Sequence, residues 1–223
     1  MTEIETLNQI MTDRHSCRAF LNTEVTRAQI EQILQTAQKV PSWCNSQPWK
    51  VTIVSGEAVS ELSKLLFAAR TNGLEEPDIA FPDTYQGEYK RRRSICGWQL
   101  YDAVGVQKGD REGSIAQMME NYRFFGAPHV AIVTTPEELG AYGALDCGAF
   151  ITGFTLAAQA LGIATIPQAS IAGRAPVVRE SFNIPKERHI LCAISFGYSD
   201  TDHPANSFRT KRAGLTEFVD WAE

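Results

Sequence analysis

Apolar residues recur at three- and four-residue intervals through most of this chain, while period-two stretches are few. Ile4, Leu7, Ile10 and Met11 mark a short amphipathic helix at the start. Thr26 and Gln29 have the spacing of a capping box. Behind it, Ile30, Ile33, Leu34 and Ala37 predict a helix to about Lys39, stopped by Pro41. Ala58, Val59, Leu62, Leu65, Leu66 and Ala69 form another stripe. Asp110 is placed to cap a helix with Ile115, Met118, Met119 and Tyr122 inward. Asp146–Leu161 is apolar almost all round, which predicts a helix buried on every side, with Gly162 just past its end. A short helix spans Ala175–Phe182 and stops before Pro185.

Val51–Ser55, His129–Thr134, Ala164–Ile166 and Ile190–Phe196 read as buried strands. Between Thr71 and Gly109 the pattern breaks. Gly73, Pro77, Pro82 and Gly87, with Phe81, Tyr85 and Tyr89, predict a long, partly irregular excursion before a helix over Arg91–Val104. Excursions of this length are usually functional or mobile. The tail from Asp200 lacks periodicity yet carries Leu215, Phe218, Val219 and Trp221, so it should dock on something. Helices outnumber strands and do not alternate with them one for one. That favours an α+β fold with a mixed central sheet flanked by helices over a doubly wound parallel sheet.

Composition narrows the function. A chain of 223 residues, 43% hydrophobic and 21% charged, can bury a real core in one domain or a tight pair. A net charge of −5 argues against nonspecific nucleic-acid binding, which needs a broad basic surface. No run approaches the roughly 18 apolar residues of a membrane span, and the start shows no signal peptide. Five dispersed cysteines (Cys17, Cys44, Cys96, Cys147, Cys192) read as reduced thiols of a cytoplasmic protein. The four histidines show no metal-ligand spacing, and Cys44 has no neighbouring histidine to make it a nucleophile. There is no G-x-G-x-x-G fingerprint and no P-loop.

Four segments carry candidate chemistry. If Arg14–Arg18 is extended, Arg14, Ser16 and Arg18 share a side and converge on an anion; the plainer reading is a solvated basic strand. Arg209 and Arg212 lie on one face of a turn with Lys211 off it, and suit a phosphate or merely form a basic tail. Pro41–Trp49 is stiffened by two prolines and two tryptophans and offers Ser42, Asn45, Ser46 and Gln47; a helix-to-strand connection with core tryptophans is the alternative. Pro167, Gln168, Ala169 and Ser170 follow a buried strand, and their small residues allow a flat ligand near the backbone amides, or only a turn. Together they describe a site for a phosphorylated planar cofactor.

These segments, in this order, resemble the FMN-dependent nitroreductase family, nitroaromatic reductase branch. R-H-S-C-R-A-F (Arg14–Phe20) looks like that family's R-x-S-x-R-x-F. P-S-W-C-N-S-Q-P-W (Pro41–Trp49) looks like its P-S-x-x-N-x-Q-P-W. The stretches Asn121–Val130, Asp146–Ile163 and His203–Leu215 resemble its central strand approach, long buried helix and basic C-terminal segment. The likeness covers nearly the whole chain as a single domain.

The resemblance implies a domain-sharing homodimer with FMN at the interface. It also implies reduction of a small aromatic electron acceptor, a nitroaromatic or a quinone, by a two-electron ping-pong with NAD(P)H as donor. No side chain need act as nucleophile, because the flavin carries the chemistry. Arg14, His15, Ser16 and Arg18 would hold phosphate or ring oxygens. Arg209 and Arg212 would complete the phosphate clamp, although a K-x-R register puts Thr210 at its first position. Pro41, Ser42 and Asn45 would come from the second subunit. Asn121 and Arg123 would face the pyrimidine ring, and Pro167, Gln168, Ala169 and Ser170 would line it near N5, where some members carry Pro-x-Glu-Gly. Trp43, Tyr85, Tyr89 and Phe124 would shape the acceptor pocket. The same scaffold could also serve a dehalogenase, an azoline oxidase or a non-catalytic FMN-binding protein.

Overall fold

A computed structural model describes residues 1–222. Its centre is a four-stranded sheet in the order β1-β2-β4-β3, formed by β1 (Lys50–Ser55), β2 (His129–Pro136), β3 (Ala164–Gln168) and β4 (Arg188–Gly197). Every pairing is antiparallel, with Ile53 opposite Ala131, Ala131 opposite Ile194, and Thr165 opposite Phe196. The α+β class is as expected, but the four strands do not form a mixed sheet. Parallel pairing is confined, among the described residues, to two isolated bridges, Ser16 with Thr165 at β3 and Glu76 with Arg174 outside the sheet.

Helices cover both faces, which explains why β2 reads as continuous apolar sequence. Val130 and Ile132 pack under α3 (Glu57–Thr71) and the short helix Ala175–Phe182, with Leu62, Leu66, Tyr122, Phe124 and Val178. Ala131 and Val133 pack on the other side with Ile30 and Ile33 of α2 (Arg27–Ala37) and Phe150 and Phe154 of α6 (Gly140–Ala160). Val51–Ser55 is an edge strand in which only Val54 is buried, so its apolar run reports position beside β2 rather than enclosure.

The capping box forms as expected. Thr26 Oγ1 accepts from the Gln29 amide, and the Gln29 side chain accepts from the Thr26 amide at 3.0 Å. Gly162 (φ +72°) ends α6: its N–H donates to the Gln159 carbonyl, and the next N–H, of Ile163, donates to Ala158 at 2.9 Å. Such a Schellman closure needs a left-handed residue. Asp110 caps α5 (Arg111–Met119) through the Gly113 amide, but Ile115 points outward and is 56% exposed.

Two expectations about burial fail for one reason. Glu137–Ala160, with a mean hydropathy of 1.2, is the one stretch among the described residues long and apolar enough to cross a membrane. It packs instead on α2, β2 and β3 through part of its circumference, leaving Tyr142 and Leu145 exposed rather than buried on every side. The tail does not dock fully either: Leu215, Phe218 and Trp221 stay 66–81% exposed. Both α1 (Glu3–Asp13) and α4 (Gly87–Ala103, four residues longer at its start than the sequence indicated) contain no buried residue. In each, apolar spacing marks a face that the packing of this chain leaves uncovered.

The irregular excursion is pinned at its first half. Asp78 accepts two bonds from Arg179 Nη2 at 2.7 and 2.8 Å and a third from the Ile190 amide at 2.7 Å. The Glu76 amide donates to the Gly173 carbonyl.

Candidate functional site

After α1 ends, the chain runs extended beside β3. The Cys17 amide donates to the Thr165 carbonyl at 3.0 Å, and the Leu21 amide to the Tyr198 carbonyl at 2.8 Å. Alternation then does what the sequence indicated: Cys17 and Ala19 turn into the core, while Arg14, Ser16 and Arg18 keep to the other side, half-buried. Asn206, 5% exposed, ties the basic tail to this segment. Its Oδ1 accepts from the Arg18 amide at 2.7 Å, and its Nδ2 donates to the Ala19 and Asp200 carbonyls.

The result is a cluster of cations without a counter-charge. Among the described residues no carboxylate lies within ion-pair distance of Arg14, Arg18, Arg209 or Arg212, although the chain carries more acids than bases. Arg209 Nη1 spends its donors on the carbonyls of Asn206 and Phe208, and Arg212 Nη1 on Thr210. Arg18 lies over the Phe208 ring at 5.6 Å. Burial lowers the pKa of Arg14, and the neighbouring Arg212 lowers it further; burial does the same to Arg18. Both guanidiniums remain charged at any physiological pH.

His15 sits among them. Burial, then the charges of Arg209, Arg14 and Arg18, push its pKa down against the opposing pull of the Asp13 carbonyl. Its Nδ1 lies 3.0 Å from that carbonyl and must donate to it. The buried Nε2 then carries a bare lone pair with no partner. It can accept a hydrogen bond from a ligand hydroxyl, but as neutral imidazole it cannot donate to a phosphate.

Beside the cluster, the end of β3 opens on a cleft of about 340 Å³. Ser16, Arg18, Asn121, Gln168 and Ser170 supply its polar atoms, and Tyr101, Phe125 and Pro167 its apolar ones. Phe124, Phe125 and Gly126 all have positive φ, at 54°, 54° and 79°. Two consecutive non-glycine residues in the left-handed region are costly and mark a turn held by its surroundings.

That turn corrects two sequence expectations. Phe124 is fully buried in the core, so Phe125 and not Phe124 lines the cleft. Arg123 is swung away from Asn121: it pairs with Glu120, lies over the Phe67 ring at 4.9 Å, and borders a separate cleft with Asn22 and Ser63. Tyr85 and Tyr89 also lie elsewhere. Tyr85 stacks with Arg93, Tyr89 is 71% exposed, and the aromatic of the excursion region that reaches the cleft is Tyr101. Lys211 and Arg212 both border another cleft with Arg91 and Arg92 along α4, and Arg212 is also near enough to Arg14 to lower its pKa.

Pro41, Ser42 and Trp43 border a shallow groove on α6 with Leu145 and Ala149, away from Ser16 and Gln168. Trp43 is 56% exposed and meets Tyr142 edge-on at 4.2 Å. Cys44, Asn45 and Gln47 have positive φ in the same loop. Asp146 holds it, accepting from the Trp43 amide at 3.1 Å and the Ser46 hydroxyl at 3.3 Å. Neither Asp146 nor Asn206 was singled out from sequence. Their signal was a polar residue within an apolar or basic motif, legible only when its partner is known.

Comparison with known proteins agrees with this geometry. Residues 11–198 match the model of the nitroreductase family. The chain is 32% identical over 213 residues to 4-nitrobenzoate reductase of Pseudomonas putida, covering 94% of each chain. It is 35% identical over 212 residues to nitroreductase NfnB of Mycolicibacterium smegmatis, covering 94% of this chain and 89% of that one. The crystal structure of the FMN-dependent nitroreductase NfnB from Mycobacterium smegmatis in complex with NADPH superposes with a TM-score of 0.94. That likeness spans 99% of this chain and 100% of the other at 32% identity. With a family model matched over residues 11–198 and relatives 32–35% identical over nearly the whole chain, this chain belongs to the nitroreductase family.

Proposed function

We propose that this protein is an FMN-dependent nitroreductase that takes hydride from NADPH and reduces flat, electron-poor aromatics by two electrons. The observation that carries the reading is the uncompensated cluster of Arg14, Arg18, Arg209 and Arg212 beside the Asn121–Gln168 cleft. Like charges held together without acids destabilise the chain unless an anion binds, and a phosphate monoester suits several guanidiniums at once.

Arg14, Arg209 and Arg212 hold the phosphate. His15 Nε2 accepts from a ribityl hydroxyl, which resolves its orphaned lone pair. Ser16, Arg18, Asn121 and residues Pro167, Gln168, Ala169 and Ser170 surround the ring system. The bound flavin supplies the site that accepts and then returns the hydride. The chain's own part is electrostatic: Arg18, desolvated and unpaired, favours negative charge in the cleft. Tyr101 and Phe125 keep one wall of the cleft apolar and exclude water there.

The protein acts as a homodimer. Exposed Ile4, Leu7 and Met11 on α1, Tyr142 and Leu145 on α6, Trp43, and the tail are the apolar side chains that a second copy would cover. Pro41, Ser42 and Asn45 cannot serve this chain's own cleft and are offered to that of a second copy. All five cysteines are free, which fits a reducing compartment. The named relatives are nitroreductases, so the dehalogenase and azoline oxidase alternatives gain nothing from the cleft.

The test is the absorbance spectrum of purified protein, anaerobic addition of NADPH, and then 4-nitrobenzoate. A flavin band that bleaches with NADPH and returns with the nitroarene is expected. Protein that stays colourless after incubation with FMN would overturn the cofactor assignment. A reducible flavin that no nitroarene reoxidises would overturn the reaction.

A further inference from the structure

A chain of buried hydrogen bonds runs from the middle of the sheet to the cleft. Ser195 in β4 is wholly buried, and its hydroxyl donates to Gln168 Oε1 at 2.5 Å. Gln168, 3% exposed, donates from Nε2 to the Asn121 carbonyl at 2.8 Å and to Asn121 Oδ1 at 3.3 Å. Ser170 Oγ donates to the same Oδ1 at 3.1 Å, and Asn121 Nδ2 donates to the Met118 carbonyl at 3.0 Å.

The direction of every bond is forced. Backbone carbonyls only accept, so the Gln168 nitrogen must face Asn121 and the Asn121 nitrogen must face Met118. Flipping either amide would set oxygen against oxygen. Oδ1 of Asn121 therefore receives two donors, which fill both its lone pairs. One Nδ2 hydrogen is spent on Met118, and a single N–H remains. At this point the Asn121 side chain offers the cleft a donor and no acceptor.

Ser195 completes the arrangement. Without its hydroxyl, Gln168 Oε1 would be a buried acceptor lacking a donor, a costly state that is reduced only if the side chain shifts toward another donor. Such a shift would withdraw the Nε2 donor that helps hold Asn121 Oδ1.

We infer that Ser195 is a positioning residue that, through Gln168, fixes the Asn121 amide as a hydrogen-bond donor, so that the cleft selects a ring carbonyl oxygen of its planar ligand over a ring N–H. The inference rests on the proposal that the cleft holds the flavin ring. No sequence signal marks Ser195, which lies inside an apolar strand 27 residues from Gln168.

The test uses full-length protein stripped of flavin and titrated with FMN labelled with ¹³C at both ring carbonyls, C2 and C4. Wild type should bind it with one carbonyl resonance displaced downfield from free FMN. In Ser195→Ala that displacement should shrink and the Kd should rise about tenfold, the equivalent of one net hydrogen bond. Ser195→Thr keeps the hydroxyl and should keep the displacement. If Ser195→Ala fails to fold, Gln168→Met interrupts the chain one link closer and should erase the same displacement. A Ser195→Ala protein that is less stable or binds FMN more weakly, yet shows the wild-type carbonyl shifts, would reduce Ser195 to a structural role and overturn the inference. Wild type that takes up no FMN would instead overturn the functional proposal, and the inference with it.

Discussion

Asp78 offers the sharpest test of how the excursion is held. Its side chain and that of Arg179 are 18% and 17% exposed, so this is a largely desolvated pair. Asp78→Ala deprives two donors at once: Arg179 Nη2, which meets both carboxylate oxygens, and the Ile190 amide at the start of β4. Removing one partner of a buried pair costs about 3–5 kcal/mol, because the other charge stays behind. Arg179 keeps the carbonyls of Ile184, Pro185 and Arg188, which places the loss near the lower bound, about 3 kcal/mol. With a urea m-value of about 2 kcal/mol/M, the midpoint should fall by about 1.5 M at unchanged slope. The double variant Asp78→Leu/Arg179→Met should recover part of that fall, since apolar replacement of a buried ion pair is often neutral while the Ile190 amide stays without its acceptor. A fall of under about 0.5 M, or no recovery in the double variant, would refute the account. Function should follow stability. The excursion leads into α4, whose Gly97, Leu100 and Tyr101 border the cleft.

Three further outcomes are expected. Arg212→Ala should weaken FMN binding about ten- to a hundredfold in a fluorescence titration while leaving the melting temperature of the flavin-free protein unchanged or higher, because Arg14 loses a repelling neighbour; a lower melting temperature with unchanged FMN affinity would contradict the anion site. Gly153→Ala would set a methyl 2.8 Å from Val40 Cγ1 and 3.2 Å from the Ala37 carbonyl, prying α2 from α6 at a cost of about 1–3 kcal/mol; urea midpoints check it, and a neutral result would mean that the helices have slack. His129 donates from Nδ1 to Ser55 Oγ at 2.7 Å and accepts the Val25 amide on Nε2 at 2.9 Å, so it is neutral, and burial holds its pKa below the ordinary value. The unfolded chain then binds a proton that the folded one refuses, so stability should fall as pH drops below about 6.5 and continue to fall down to the lowered native pKa. His129→Gln should flatten that slope, and an unaltered slope would place the acid sensitivity elsewhere.

Periodicity was enough for most of the elements because their local signals agree with their burial. Thr26 caps α2, Gly162 closes α6, and Ala175–Phe182 is a helix at the residues expected. The alternation of Arg14, Ser16 and Arg18 against Cys17 and Ala19 was equally legible, since a strand edge obeys the same period of two wherever it lies. Errors arose where apolar character reported something other than enclosure. Ile115, the outer face of α6 and the tail are apolar without being buried, and a hydrophobic pattern cannot say whether its partner is the same chain or another copy.

By itself, then, the sequence determined the helices, the strands, the basic segments and the family. Only the tertiary structure decided which side chains share the cleft. Three successive positive φ angles at Phe124, Phe125 and Gly126 are invisible to composition, yet they send Phe124 into the core and Arg123 to another face. The acids are likewise absent from the Arg14–Arg212 cluster only in space, for Asp13 adjoins Arg14 in the chain and makes no ion pair with it. Hydrogen bonds such as Ser195 to Gln168 join residues from different strands, and their direction is settled by which backbone carbonyl each amide happens to meet. Local preference acts over a few residues; a site assembled from 200 residues of chain is fixed by packing.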